Sequence, residues 1–131
     1  MYIMDNKVFY MYTGLLSVIY AVYAGSRYYS LNGIYLLSDE KAKEYIRRGI
    51  ITHIIDVRTQ LEWKMGHHPL ASHIPVTEIS KKTLQNANIF MNEGILVYCN
   101  TGQRARYASE KIAKLGYKKV YYIDSTYNTI I

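Results

Sequence analysis

The hydrophobic positions after residue 33 form short apolar runs, separated by stretches that have the periodicity of amphipathic helices. The runs predict five strands, of which the third is a brief or edge segment: residues 34–37, 50–57, 73–76, 94–99 and 118–123. Two of them, 50–57 and 94–99, are almost continuously apolar, which is typical of strands buried on both faces. Strands that alternate with helices predict an α/β fold with a mainly parallel central sheet of about five strands flanked by helices.

Polar and glycine residues mark the ends of the helices between these strands. Ser38 begins a helix that ends at Gly49, and a short helix over 59–66 is capped by its first residue. Residues 78–93 predict one or two helical pieces, and residues 103–116 predict a longer helix. Four residues of this last helix are expected to form its apolar face: Tyr107, Ala108, Ile112 and Leu115.

The N-terminus has a different pattern, because residues 8–25 carry no charge. An uncharged run of this length is near the short end of what crosses a bilayer, and its tyrosines suit interfacial positions. We therefore expect residues 1–30 to form a hydrophobic segment, a membrane anchor, that precedes a domain at residues 31–131. Cationic residues after the run outnumber Lys7 before it, so the positive-inside rule places the domain in the cytosol.

Two alternatives for this N-terminal segment stay open. It could be a signal peptide that is cleaved near Ala24, in which case the domain is exported. It could also be a helix that packs on the domain or on a partner, in which case the protein is soluble and cytoplasmic. The four tyrosines and the Ser and Thr residues of the run lower its hydrophobicity, which is the observation that favours this last interpretation.

Composition and charge narrow the choice of function. A chain of 131 residues has room for one domain, and its 50% hydrophobic content is typical of a globular protein. The net charge of +6 suits an anionic substrate or lipid surface, but the cations form no single cluster, which argues against nucleic acid. One cysteine excludes an internal disulfide and is consistent with a reducing compartment.

That cysteine, Cys99, lies where the fourth predicted strand meets the last predicted helix. Binding sites of parallel sheets form beyond the carboxyl ends of the strands, and the residues after Cys99 must curl so that backbone N–H groups point inwards. Gly102 allows the positive φ that such a curl needs, and Arg104 and Arg106 add positive charge. The helix N-terminus and the guanidinium groups favour the thiolate, which predicts a nucleophilic cysteine rather than a structural one.

At this point the sequence resembles the rhodanese-like domain of the sulfurtransferases. Residues 98–105, YCNTGQRA, look like the active-site loop of that family, a cysteine followed by four residues and an arginine. Residues 54–76, IIDVRTQLEWKMGHHPLASHIPV, look like its upstream motif, and residues 115–124 look like the stretch after its active-site helix. The resemblance covers residues 33–127 and implies a three-layer rhodanese-like fold.

The resemblance also implies roles for individual residues. Cys99 would accept sulfur from a donor such as thiosulfate and pass it to a thiol or to cyanide. Arg104 would hold the anionic donor or brace the loop, while Asp56 and Arg58 would support the loop from the neighbouring strand or form only a surface ion pair. The expected binding group is the loop itself: Asn100, Thr101, Gly102, Gln103 and Arg104. Small donors and acceptors are the expected partners, and we expect no cofactor.

Three rival interpretations of these residues differ in how well the sequence supports them. Cysteine phosphatases place five residues between cysteine and arginine, and that spacing falls on Ala105 here. A non-catalytic rhodanese-like module that binds a partner or senses redox state keeps more weight, because an activated thiolate also oxidises. The four histidines have no known metal-ligand spacing, so we expect no metal ion at His53, His67, His68 or His73.

Two stretches depart from the family pattern. The family usually has Gly-His-Ile followed by Gly-Ala, whereas this chain has GHHPLA at residues 66–71. A glycine pair normally follows the last strand, and Ser125 and Thr126 stand there instead. Because that position lies near the rim of the site in the family, the resemblance implies that substrate access or turnover is altered here.

Overall fold

A computed structural model describes residues 4–26 and 34–131 of the chain. The expected boundary at residues 30 and 31 lies outside these described residues. The helices are α1 (Asn6–Ser26), α2 (Asp39–Arg47), α3 (Gln60–Lys64), α4 (Lys81–Asn86) and α5 (Gln103–Lys114). The strands are β1 (Ile34–Leu36), β2 (His53–Asp56), β3 (Ala71–His73), β4 (Gly94–Tyr98) and β5 (Lys119–Tyr122). Two short 3₁₀ turns complete the described chain, at Val76–Glu78 and Tyr127–Thr129.

The five strands form one sheet in the order β1-β5-β4-β2-β3, and every neighbouring pair is parallel. This confirms the predicted α/β class and the parallel sheet. The most apolar strand, β4, lies in the centre and is buried along its whole length. Because parallel strands all end at the same edge, the carboxyl ends of β2 and β4 are neighbours, with Asp56 in register with Tyr98.

Each face of the sheet carries its own apolar cluster. Alternation along β4 and the residue after it places Val97 and Cys99 in the cluster that α5 covers, and Leu96 and Tyr98 in the other cluster, which Ala42 of α2 joins. The thiol and the aromatic ring that precedes it therefore lie on opposite faces of the sheet.

The clearest differences from the predictions concern two strands and one face of a helix. The strand predicted over 50–57 is shorter, because the N–H groups of Ile50 and Ile51 donate to the Tyr45 carbonyl at the end of α2. The strand predicted over 73–76 lies earlier, at β3, and Pro75 precedes a 3₁₀ turn. The prediction that Tyr107 lies on the apolar face of α5 is wrong: Tyr107 is 62% exposed, and the buried residues of this helix are Ala105, Ala108, Ser109 and Ile112.

The helix α1 has 21 residues, so it is about 31 Å long at 1.5 Å per residue. By length and composition it is apolar enough to cross a membrane, and its apolar window is not buried by the rest of the chain. A signal sequence near an N-terminus has the same length and composition, so the helix by itself does not decide between the two.

Candidate active site

The sulfur atom of Cys99 lies under the loop that leads into α5. Its Sγ accepts hydrogen bonds from the backbone N–H of Gly102, at 3.1 Å, and of Ala105, at 3.4 Å. The side chain is buried, with 1% of its surface exposed. The N–H groups at the start of a helix carry the positive end of the helix dipole, so this position favours a negatively charged sulfur.

Gly102 gives the loop its shape. Its φ is +97°, in the left-handed region that glycine adopts without steric cost. A Cβ atom at this residue would lie 2.7 Å from the Cα of Asp124, which follows β5. The loop is therefore packed directly against the neighbouring chain segment, and no larger residue fits at this position.

Glu62 of α3 holds both ends of the loop, although it is not among the site residues predicted from the sequence. Its Oε1 accepts from Nη1 of Arg104 at 2.7 Å, and its Oε2 accepts from Nη2 of Arg104 at 3.0 Å and from Nδ2 of Asn100 at 2.5 Å. The hydrogen bond from Arg104, with smaller help from the Thr59 N–H and hydroxyl, holds the pKa of Glu62 well below its usual range. This carboxylate thus clamps the loop against α3.

A local signal in the sequence could have found Glu62. Thr59 and Glu62 have the three-residue spacing of a capping box, in which each side-chain oxygen accepts a hydrogen bond from the other residue's backbone N–H. The box fixes the carboxyl group at the start of α3, just beyond the end of β2. Its second partner, Arg104, is 42 residues away in the chain, and only the fold brings the two together.

Arg104 interacts with both this carboxylate and the thiol. The hydrogen bond to Glu62 raises the pKa of the Arg104 guanidinium, and the charge of Cys99 contributes in the same direction. The sequence predicts that Arg104 either holds the anionic donor or braces the loop, and its contact with Glu62 corresponds to bracing the loop. The guanidinium keeps 35% of its side-chain surface exposed, which leaves it open to an anion as well.

Asp56 and Arg58 form a buried pair, so the alternative of a surface ion pair is wrong. Their side chains are 0% and 6% exposed, and Nη2 of Arg58 lies 2.7 Å from Oδ2 of Asp56. The Tyr98 hydroxyl donates to the same Oδ2 at 2.7 Å and accepts from the His68 N–H at 3.0 Å. Burial and then this bond to Asp56 raise the pKa of the Tyr98 hydroxyl.

This pair contacts Tyr98, the residue that immediately precedes Cys99. Arg58 lies over the rings of Tyr98 and Tyr127, at 5.6 and 5.1 Å from their centroids, and donates to the Gly66 carbonyl at 2.6 Å. The network therefore fixes the residue that immediately precedes Cys99, from the opposite face of the sheet.

The two departures from the family pattern have structural roles. The Ser125 hydroxyl donates to the Asp39 carboxylate at the start of α2 and contacts Thr129, so it ties the C-terminal segment to α2. Asp124 is the residue that contacts the loop, at Gly102. In the other stretch His68 is buried, and this burial lowers the pKa of its imidazole.

The other histidines have separate partners. His53 pairs with Glu93, His67 stacks on Trp63, and Nε2 of His73 lies 2.8 Å from the Arg58 carbonyl. Within residues 4–26 and 34–131, no three His, Cys, Asp or Glu side chains are grouped as metal ligands.

Comparison with known proteins identifies a family. The model of the rhodanese-like domain matches residues 38–130, which is more than half of the chain. The thiosulfate sulfurtransferase PspE of Escherichia coli is 34% identical over 68 residues, which cover 52% of this chain and 64% of that protein. The putative sulfur carrier protein YrkF of Bacillus subtilis is 31% identical over 84 residues, which cover 64% of this chain and 44% of that protein. The matched region thus spans roughly half the length of these relatives.

Solved structures show the same fold. The human single-domain sulfurtransferase TSTD1 superposes with a TM-score of 0.60 and 20% identity, covering 74% of this chain and 93% of that one. An Escherichia coli rhodanese with anions has a TM-score of 0.51 and 28% identity, covering 60% of this chain and 89% of that one.

Proposed function

Because this chain belongs to the rhodanese-like domain family, we propose that it is a sulfurtransferase that works through a persulfide on Cys99. The donor is an anionic sulfur compound such as thiosulfate, and the acceptor is a thiol or cyanide. The observation that carries the proposal is the position of the Cys99 Sγ. This atom accepts hydrogen bonds from two backbone N–H groups at the start of α5, and the Arg104 guanidinium also interacts with Cys99. These groups stabilise a thiolate and an anionic donor together.

In the first step the Cys99 thiolate attacks the outer sulfur of thiosulfate. A new S–S bond forms to Sγ, and the bond between the two sulfur atoms of thiosulfate breaks. Sulfite leaves with the electron pair of that bond, and the protein keeps the sulfur as a persulfide. The loop N–H groups that stabilise the thiolate are equally placed to stabilise the charge on the terminal persulfide sulfur.

In the second step an external nucleophile attacks this terminal sulfur. The bond to Sγ breaks, and its electron pair returns to Cys99 as the thiolate. A thiol acceptor leaves as a hydropersulfide, and cyanide leaves as thiocyanate. Because the sequence contains one cysteine, the persulfide has no second thiol in this chain to attack it.

The test is sulfur uptake followed by intact-mass measurement. After incubation with thiosulfate and removal of the excess, the wild-type protein is expected to gain one sulfur atom, and the Cys99→Ser variant none. Addition of cyanide should then remove the sulfur and release thiocyanate. Absence of any adduct would contradict the proposal, and oxygen adducts on Cys99 without sulfur uptake would favour the redox-sensing alternative.

We also propose that residues 1–30 anchor a domain of residues 31–131 to a membrane with the domain in the cytosol. The support is the length of α1, the absence of charge between residues 8 and 25, and the cations that follow. The full-length protein is expected to resist carbonate extraction, and Leu16→Arg, a charge in the middle of the helix, to release it. A protein of reduced mass that begins near residue 25 and lies outside the cell would instead establish a signal peptide.

A further inference from the structure

The C-terminal end of α1 lies beside the active-site loop. Tyr23 of this helix lines a cavity of about 270 Å³. Asp124 and four residues of the loop and the start of α5 line the same cavity: Thr101, Gly102, Gln103 and Arg106. Gly102 is also the residue whose backbone N–H donates to Sγ of Cys99 at 3.1 Å, so α1 ends next to the loop that holds the thiol.

The described part of the domain leaves the apolar surface of α1 uncovered. The large apolar side chains of this helix from Phe9 to Tyr23 are all at least 50% exposed, whereas Ala24 and Gly25 in its last turn are partly buried. Helix α1 thus meets the domain at its C-terminal end, and its remaining surface is available to a bilayer.

The length of α1 determines how close the loop comes to that bilayer. The uncharged run over residues 8–25 is about 27 Å long at 1.5 Å per residue, close to the ~30 Å of a hydrocarbon core, so a spanning helix uses the whole run. Tyr23 then lies about 3 Å inside the end of the hydrocarbon core, at the depth where tyrosine rings are enriched.

The small size of the cavity places the loop at nearly the same depth. The cavity is below the volume of about 300 Å³ at which small-molecule sites begin, so the loop residues that share it with Tyr23 lie within the width of a small molecule from that ring. This width is comparable to the thickness of the headgroup layer, which is about 5–7 Å on each side of a bilayer. A membrane-spanning α1 therefore brings the loop among the headgroups.

Exposed apolar side chains lie at the same edge of the sheet, on α3. This helix contacts the loop through Glu62, which accepts from Asn100 and Arg104. Leu61 and Met65 of the same segment are 71% and 81% exposed, and they are four residues apart, on one side of the helix. Side chains of this kind are stabilised at the boundary between headgroups and acyl chains.

We infer that the edge of the sheet at which the strands end, with the active-site loop and α3, docks on the phospholipid headgroup layer of the membrane that α1 enters. The inference rests on the proposed anchoring by residues 1–30. Tyr23 lies at the boundary of the hydrocarbon core, the loop lies among the headgroups, and Leu61 and Met65 insert between headgroups. Cys99 therefore exchanges sulfur at the membrane surface.

The experiment measures the depth of single labels in the full-length protein. In a Cys99→Ser background, the variants Thr101→Cys and Met65→Cys each carry one nitrobenzoxadiazole fluorophore. Phe90→Cys is the matched control, because Phe90 is 61% exposed and precedes β4, at the opposite edge of the sheet. The five residues of β4 separate the two edges by about 16 Å at 3.3 Å per residue. The protein is inserted into vesicles of equimolar phosphatidylcholine and phosphatidylglycerol, with and without a lipid that is spin-labelled at its headgroup.

We expect the spin-labelled lipid to remove most of the fluorescence at residues 65 and 101 and to leave that at residue 90 nearly unchanged, because nitroxide quenching needs near contact. Carbonate extraction of the same vesicles reports whether α1 is inserted. If the protein is retained but the label at residue 65 or at residue 101 is quenched no more than the label at residue 90, only this inference is overturned. If carbonate releases the protein, the proposed anchoring itself fails and takes the inference with it.

Discussion

The clamp between α3 and the active-site loop leads to the sharpest prediction, the effect of Glu62→Gln. The change keeps the shape of the side chain and removes its charge. In the native protein Oε1 accepts from Thr59 and Arg104, and Oε2 accepts from Arg104 and Asn100. An amide that keeps its oxygen at the Thr59 cap turns its NH₂ group towards the donors on Arg104 and Asn100. The cap survives, but donors face donors at the loop.

The size of the effect follows from the exposure of the pair. The side chains of Glu62 and Arg104 are 26% and 35% exposed, between a surface ion pair and a buried one. Surface pairs contribute up to about 1 kcal/mol and broken buried pairs cost about 3–5 kcal/mol. We therefore expect a loss of about 1–2 kcal/mol in the free energy of unfolding, or roughly 5–10 °C in Tm for a domain of this size.

The assay combines urea denaturation with the rate of sulfur uptake from thiosulfate. A looser loop should raise the KM for thiosulfate and slow uptake, because the loop N–H groups and Arg104 are no longer held in place. The matched control is Glu110→Gln, which removes the same charge from an ion pair within α5 and should cost less than about 0.5 kcal/mol. A double-mutant cycle with Arg104→Gln should give a coupling of about 1 kcal/mol.

The pH dependence provides an independent check. Because the folded state holds the pKa of Glu62 below its ordinary value, its contribution to stability is fully present above about pH 4.3 and is lost as the pH falls below that value. The stability difference between wild type and Glu62→Gln should therefore shrink in acid. A Glu62→Gln variant that matches Glu110→Gln in urea midpoint and in sulfur uptake would refute the role of Glu62 as a clamp.

Three further predictions concern the supports around the loop. Gly102→Ala should cost at least about 2 kcal/mol by urea denaturation, because its φ is +97° and its Cβ would collide with Asp124; an unchanged midpoint would contradict the packing. Asp56→Asn should cost about 3–5 kcal/mol, because it leaves the buried Arg58 charge without a counterion, and a loss below 1 kcal/mol would argue against that burial. Burial lowers the pKa of His68, so the unfolded state binds the proton more readily and stability should decline as the pH falls below about 6.5; urea midpoints from pH 8 to 5 should show a smaller slope in His68→Gln.

The local sequence determined the class of fold and the position of the thiol. Apolar runs predict strands and amphipathic stretches predict helices, because buried side chains recur every second residue in a strand and every three to four in a helix. The observed strands and helices alternate along the chain as these stretches do. Cys99 at a strand end, followed by Gly102 and a helix, is likewise a local pattern, and the loop has the positive φ that the pattern requires.

Tertiary structure decided which side chains face one another. Tyr107 has an apolar ring, yet the face of α5 that meets the sheet is set by Ala105, Ala108 and Ile112, and the tyrosine is left exposed. Glu62 and Arg104 meet across 42 residues because parallel strands end at one edge of the sheet, a distance over which the spacing of residues carries no information. Whether a charged pair such as Asp56 and Arg58 is buried depends on what covers it, here the rings of Tyr98 and Tyr127, and that is a property of the assembled fold alone.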